Sequence, residues 1–254
     1  MAFAANLKHL SLNLLPNRLL QPLRKIHYAR KLSHSIDEPE MAVIPHLLGQ
    51  GGCALDLGAN FGSYSHFLAK IVGTAGSVHA VEPIPGTFEV LQHNVGQFGL
   101  KNVRVHHVAI SDRNETASMV IPRYDRGGEN FYEARIVSNY EGEFQRTVRV
   151  PTRTLDSLFG PLGRIDFVKC DVEGHELNVL RGATGILDVH RPAWMIEVSG
   201  NPDVPDSSAA EIVALMNRAG YCMYHLADAD TRRTANYFFL RPEHVRRLSN
   251  LVEE

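Results

Sequence analysis

Cysteine is scarce in this chain. Its 254 residues hold three, and Cys53, Cys170 and Cys222 form neither a CxxC pair nor a zinc-ligand spacing, so a disulfide scaffold and a thiolate metal site are excluded. Cys53 and Cys170 lie inside apolar runs, where a free thiol behaves as a small hydrophobe, and a reduced compartment is expected. No apolar stretch reaches the roughly 18–20 residues that span a bilayer. The first residues also lack the apolar core and small-residue cleavage site of a secretory signal, so the expectation is a soluble, cytoplasmic protein. An excess of charge is missing too. Twenty-six Lys and Arg against 28 Asp and Glu leave a formal net charge of -2, and no global field selects a nucleic-acid partner.

What is present is alternation. From Cys53 onward, short apolar runs alternate with helix-periodic stretches. Strands are expected over Cys53 to Leu57, Ser77 to Val81, Val103 to Ile110, Ile165 to Cys170 and Ala193 to Val198. Helices are expected over Gly62 to Val72, Pro85 to Phe98, Glu176 to Leu187 and Ser207 to Ala219. Such an order predicts crossover units around a mostly parallel, doubly wound α/β sheet. Two further strands, Tyr221 to Leu226 and Tyr237 to Leu240, are joined by a short connection. A parallel pair needs about a dozen residues to cross over, so these two should form an antiparallel hairpin and reverse the last strand.

Two segments stand apart. Residues 1–36 carry Lys8, Arg18, Arg24, Lys25, Arg30 and Lys31 with no acid before Asp37. Leu7, Leu10, Leu14 and Leu15 recur at helical spacing, interrupted by Pro16 and Pro22. The division expected is a basic helical arm over 1–40 and a ligand-binding domain over 41–254. The arm reads either as a cap on the domain or as a peripheral contact with a membrane surface. Arg123 to Arg146 is polar and weakly periodic, longer than an ordinary connection, and reads as a lid, a substrate loop or an added hairpin.

The most informative stretch is Ala54-Leu55-Asp56-Leu57-Gly58-Ala59-Asn60-Phe61-Gly62. An apolar strand runs into a glycine turn and then a helix, and ligands of open α/β sheets bind at that edge. A triphosphate loop would need Gly-Lys-Ser/Thr, but Gly62-Ser63-Tyr64 stands there. A dinucleotide loop would need glycine where Asn60 and Ser63 stand. Asp56 before the turn suits a positively charged ligand better than a pyrophosphate, and S-adenosyl-L-methionine carries a sulfonium and an amine. Glu82 ends the next strand, about 20 residues beyond the glycine turn, where an acid accepts ribose hydroxyls. Ala109 and Ser111, in Ala109-Ile110-Ser111-Asp112, fall where the adenine should lie. The whole assignment from the residues hangs on this electrostatic match; a structure that buries Asp56 away from any crevice, or shows the bend cradling a phosphate, overturns it.

These blocks resemble the FkbM-type methyltransferases. The resemblance rests on DLGANFG from Asp56 to Gly62, Val81-Glu82-Pro83, Ala109-Ile110-Ser111-Asp112, Thr154-Leu155-Asp156, FVKCDVEGHE from Phe167 to Glu176, and Asn236-Tyr237-Phe238-Phe239-Leu240. It spans roughly residues 50–240. It implies a class I methyltransferase (Rossmann-like) fold with a reversed last strand and S-adenosyl-L-methionine as cofactor. It also implies O-methylation of a hydroxyl on a sugar, glycolipid or other natural product. Cys170 departs from the more usual aliphatic residue before Asp171.

The turn Asp171-Val172-Glu173-Gly174-His175-Glu176 should face the same crevice. Methyl transfer needs the acceptor oxygen held in line, with its proton removed. Asp171 is the first candidate for contact with the reacting region, either as base or through the cofactor amine, His175 is the alternative base because imidazole titrates near neutrality, and Glu173 can orient a hydroxyl. His175 and Glu176 also read as plain helix N-terminal chemistry. Asp171, Glu173 and Glu197 can be read as oxygen ligands of a divalent ion, but no metal is assigned. Besides the methyltransferase acting on a small-molecule or glycan acceptor, two readings stay open: a non-catalytic S-adenosylmethionine-binding scaffold and a Rossmann-type NAD oxidoreductase.

Overall fold

The computed structural model describes residues 17–33, 38–122, 129–130, 134–137, 146–226, 236–246, 248 and 251–253. The leucine pattern from Leu7 to Leu15, most of the segment from Arg123 to Arg146, and the connection 227–235 lie outside the described residues.

The main sheet is built from β1 (Cys53–Leu57), β2 (Ser77–Val81), β3 (Val103–His106), β8 (Phe167–Cys170), β9 (Ala193–Glu197), β10 (Cys222–Leu226), β11 (Asn236–Leu240) and the two-residue β12 (Val252–Glu253). Their order across the sheet is β12-β10-β11-β9-β8-β1-β2-β3. The strands from β9 to β3 run parallel, whereas β11 is antiparallel to both β9 and β10. The expected hairpin and reversed strand are therefore present, with β12 added at the edge. This is the class I methyltransferase fold.

The parallel strands read as continuous apolar runs because both faces of the sheet are covered. Ala54, Phe167, Met195 and Phe238 point to one face, packed with Leu68, Val72 and Leu91 of helices α3 (Ser63–Val72) and α4 (Pro85–Gln97). Their neighbours Leu55, Val168, Ile196 and Phe239 point to the other, against Leu180, Ile212 and Met216 of α6 (Glu176–Arg181) and α7 (Ser208–Arg218). The alternation follows from the two-residue period of a strand.

Three sequence expectations are corrected. The run Val103 to Ile110 is not one strand. β3 pairs with β2, and after His107 the chain leaves that ladder so that β4 (Ala109–Ile110) pairs with β7 (Arg146–Arg153). A second sheet, ordered β4-β7-β5-β6, is completed by β5 (Thr116–Ile121) and β6 (Arg135–Val137); the polar insertion thus contributes a strand. The helix expected to reach Leu187 stops at Arg181. Gly182 lies so close to Ser111 that a Cβ there would sit 2.3 Å from its carbonyl oxygen, and the chain resumes as a π-helical turn over Ile186–His190. Finally, Pro22 does not interrupt its helix. The helix α1 (Asn17–Ser33) runs through it and packs on α4, with Gln21 Nε2 donating to Gly86 O at 3.3 Å. Leu32 of α1 is buried with Phe61 and Val90, and Tyr28 stacks on Phe61 at 4.4 Å. Short pieces, a 3-10 turn (Pro39–Ala42) and α2 (Ile44–Leu47), lead into β1. Among the described residues, no helix is long and apolar enough to cross a membrane.

Candidate active site

The glycine turn is shaped by contact with the neighbouring strand ends. Gly58 and Ala59 donate their backbone N–H groups to Val81 O at 3.0 and 2.9 Å, tying the turn to the end of β2. Gly58 adopts φ +74, and a Cβ there would lie 1.8 Å from Asp171 O. Only glycine permits both the conformation and the approach of the two turns. Asn60 is also left-handed, at φ 50, and its N–H donates to Glu82 Oε2 at 3.1 Å while Ile84 N–H donates to Oε1 at 2.8 Å. Glu82 is 6% exposed. Burial pushes its pKa up to about 7 against the pull of those two N–H groups and Lys169. Gly62, at φ +96, precedes α3 and packs under Leu91.

A cleft of about 370 Å³ opens along the carboxyl ends of β1, β2, β8 and β9. Its two ends differ in chemistry. Ile84, Val108, Ala109, Ile110, Met119 and Ile136 make one end apolar, whereas Glu38, Tyr64, Lys169, Asp171, Glu197 and Asn236 make the other polar. Strand order explains the split: β11, β9 and β8 lie on one side of β1, and β2 and β3 on the other.

At the polar end, Lys169 Nζ donates to Asp171 Oδ2 at 2.9 Å and to Gly58 O at 3.1 Å. It lies 3.9 Å from Asp56 Oδ1 and 5.3 Å from the Tyr64 ring centroid; the Tyr64 hydroxyl in turn donates to Glu38 Oε2. Burial opposes the charge of Lys169, yet Asp171 and Asp56 outweigh it and hold its pKa above the ordinary value. Asp171 and Glu197 both line this end of the cleft, and each acts on the other's ionisation. Burial and the Asp171 charge push Glu197 up to about 8, and Lys169 outweighs burial to hold Asp171 low. The opposite directions of the two shifts make Asp171 the more readily ionised member of the pair.

The acidic turn is held from below. Glu176 is buried, and its Oε1 accepts from Val172 N–H at 3.0 Å and Gly174 N–H at 3.1 Å. It folds back on the turn, the helix-terminus role that its position suggested. Glu173 takes φ 58 at the exposed rim. His175 reaches the cleft while its Nε2 lies 2.9 Å from Ser111 Oγ; burial lowers its pKa.

The structure thus brings Gly58, Asn60, Glu82, Ala109, Asp171, Glu173 and His175 to one cleft. Gly62 and Ser111 stand behind it. Asp56 is the correction: it is fully buried and does not line the cleft. Its Oδ2 accepts from Ser65 Oγ at 2.5 Å, and burial raises its pKa. A strand side chain projects perpendicular to the sheet, so Asp56 points into the α3 layer rather than out of the strand end, and the direct charge match with a ligand is absent. Among the described residues, no three His, Cys, Asp or Glu side chains converge to hold a metal ion.

The model of the family described as "Methyltransferase FkbM domain" matches residues 56–223. The chain belongs to the FkbM methyltransferase family. Its cofactor is S-adenosyl-L-methionine, and the cleft fits that molecule: Glu82 keeps free lone pairs on both oxygens for ribose hydroxyls, and the apolar end matches adenine. The curated relatives include the hexuronic acid methyltransferase AglP of Haloferax volcanii, 33% identical over 52% of this chain and 50% of that protein. Methyltransferase 1 of Beauveria bassiana is 26% identical over 50% of this chain and 57% of that one. This chain spans between 11% and 57% of the length of the curated relatives it matches. Among solved structures, a protein described as an rRNA methylase from Clostridium thermocellum shares the fold, with a TM-score of 0.51 at 8% identity over 81% of this chain and 96% of that one.

In this FkbM protein, sequence reasoning passed over Lys169, Tyr64 and Glu38, and considered Glu197 only as a metal ligand. The available signal was Lys169 itself, a charge inside the fully buried strand Phe167–Cys170 with acids in the adjoining blocks. Charges are almost never fully buried without a partner.

Proposed function

We propose that this protein methylates a hydroxyl of a sugar, glycolipid or other natural product, with the Asp171–Glu197 pair accepting the proton. The observation that carries this reading is the pair's place: two carboxyls lining the polar end of the cleft, away from the apolar adenine end. When bound, S-adenosyl-L-methionine supplies a methyl group on a positively charged sulfur for in-line transfer. Glu82 would hold the ribose, Ala109 and its neighbours would cover the base, and the second lone pair of Gly58 O would accept from the amine of the amino-acid end. Asp56, Gly62 and Ser111 act from behind, through Lys169, the start of α3 and His175. The cofactor would give its methyl group to the acceptor oxygen and keep the carbon–sulfur electrons on sulfur, and the acceptor's proton would pass to the carboxylate pair. Glu173 at the rim orients the acceptor. Glu197 is the stronger base of the pair once it ionises, so kcat should rise with pH through about 8.

Support for a sugar-class acceptor comes from AglP, named for hexuronic acid, whose likeness covers half of each chain. A nucleic acid is disfavoured by the carboxylates at the cleft and the net charge of -2. The test is an acceptor panel with labelled cofactor, run on three variants. Asp171→Asn and Glu197→Gln should each lose about 100-fold or more in kcat, the usual worth of a positioned base, and His175→Gln less than about tenfold. Loss confined to His175→Gln would make the imidazole the base. Cofactor binding without transfer to any hydroxyl would leave a binding scaffold instead.

The exposed face of α1 carries Leu23 and Ile26, in an arm whose sequence holds six basic residues and no acid before Asp37. We propose that this face meets an anionic bilayer surface. Liposome flotation should drop when residues 1–36 are removed; equal flotation dismisses the contact.

A further inference from the structure

Asp171 needs a reason to remain the ionised member of its pair. Glu197 faces it from β9, Glu173 and Glu176 follow it in the turn and α6, and Asp56 stands behind it on β1. Glu82 and Glu38 line the same cleft, with Tyr64 from α3 and His175 beside them. Lys31 lines the cleft too, but its ammonium sits over the Phe61 ring at 4.9 Å. Among the described residues, the cation in hydrogen-bond contact with the pair is Lys169.

Lys169 is 4% exposed and its reach is fully used. It is the cross-strand partner of Asp56 in the β1–β8 ladder, and its ammonium bonds one group from each strand-end turn: Gly58 O and Asp171 Oδ2. Those turns are already in contact, as the missing Cβ of Gly58 shows. The Tyr64 ring closes the remaining side. An ion pair serving only to neutralise Asp56 would hydrogen-bond to it. Here the ammonium stands 3.9 Å from Asp56 Oδ1, which has no hydrogen-bond partner, and spends its bonds on the two turns.

We propose that Lys169 is a positioning residue for the proton-accepting pair: it clamps the glycine turn to the acidic turn and holds Asp171 ionised, so that the pair's one proton resides on Glu197. This rests on the reading of the pair as proton acceptor, but its test needs no acceptor. An opposite charge in contact stabilises the ionised carboxyl, and its removal makes the second ionisation of a carboxyl pair harder.

The experiment is carboxyl-carbon NMR titration of the full chain labelled at Asp and Glu, with the Glu197 resonance assigned by its loss in Glu197→Gln. In Lys169→Met the Glu197 midpoint should move up by about one pH unit or more, and in Lys169→Arg it should stay within about half a unit. Lys169→Met leaves the buried Asp56 and the half-buried Asp171 without their cation and can fail to fold. The double variant Asp56→Asn with Lys169→Met removes that charge pair together and should show the same upward movement, while Asp56→Asn alone leaves the midpoint nearly in place. A midpoint unmoved in the folded double variant overturns the proposal and reduces Lys169 to a structural ion pair. Because the titration involves no methyl transfer, it decides this point even if no hydroxyl acceptor is ever methylated.

Discussion

The backbone N–H of Asn60 donates to Glu82 Oε2 at 3.1 Å, so the glycine turn after β1 and the acid ending β2 form one unit. Ile84 N–H holds the other carboxylate oxygen. Glu82 pays for this position with desolvation, which lifts its pKa from the ordinary 4.5 to about 7. The unfolded chain ionises at the lower value, so this residue's contribution to stability is full below pH 4.5 and is lost as pH rises through 7. Wild-type protein should lose about 3 kcal/mol from this source between pH 4.5 and 8. Urea unfolding as a function of pH should show that loss missing from the curve of Glu82→Gln. Cofactor affinity of the wild type, by calorimetry, should rise over the same range as Glu82 ionises, and that of Glu82→Gln should be weak and flat.

Two glycines in the facing turns allow a controlled comparison. Gly58 and Gly174 both have positive φ, at +74 and +87, but a Cβ at Gly58 would strike Asp171 O whereas one at Gly174 meets nothing within 4 Å. Gly174→Ala therefore meets only the backbone term, about 1–2 kcal/mol. Gly58→Ala adds a backbone collision and should cost about 3 kcal/mol or more, with cofactor binding lost. Equal destabilisation of the two in urea melts would mean that the turns separate freely and that their contact does not shape the cleft.

How much of this was legible beforehand depended on whether local pattern carried the information. Ser77–Val81 was readable because its strand lies inside the sheet, is buried over all but its first residue, and is bounded by polar punctuation. The division of Val103 to Ile110 between two sheets was not, since an apolar run does not encode which ladder each half joins. The Asp56 error was avoidable in principle: the two-residue period places it with Ala54, facing the α3 layer, and only residues past Leu57 reach the cleft. Lys169 belonged to a quoted block, but its role depends on Gly58 O, 111 residues away in sequence. The block Thr154-Leu155-Asp156 turned out to be scaffolding. Thr154 caps the helix α5 (Leu155–Phe159), and the Asp156 carboxylate accepts from Gly185 and Ile186 N–H at 2.8 and 2.9 Å, fixing the π-helical turn. A shared motif marked the fold there, not the chemistry.

His79 supplies an acid-side counterpart to Glu82. Its ring lies on β2, buried, with Nδ1 3.0 Å from His106 Nε2 and no partner for its own Nε2. Burial, then the neighbouring His106 and Arg104, lowers its pKa from 6.5 to about 4. The unfolded chain thus binds the proton first, and the stability associated with a neutral His79 is complete above pH 6.5 and declines as pH falls toward 4. Phenylalanine at this position keeps an aromatic ring against His106 and Phe159, which lie 5.2 and 5.3 Å away, and removes the unpartnered nitrogen. His79→Phe should equal or exceed the wild type in melting temperature at pH 7.5 and exceed it clearly at pH 5. A wild-type advantage that grows as the pH is lowered would show that His79 gains its proton inside the folded protein and that this ring pair is stabilised, not strained, by charge.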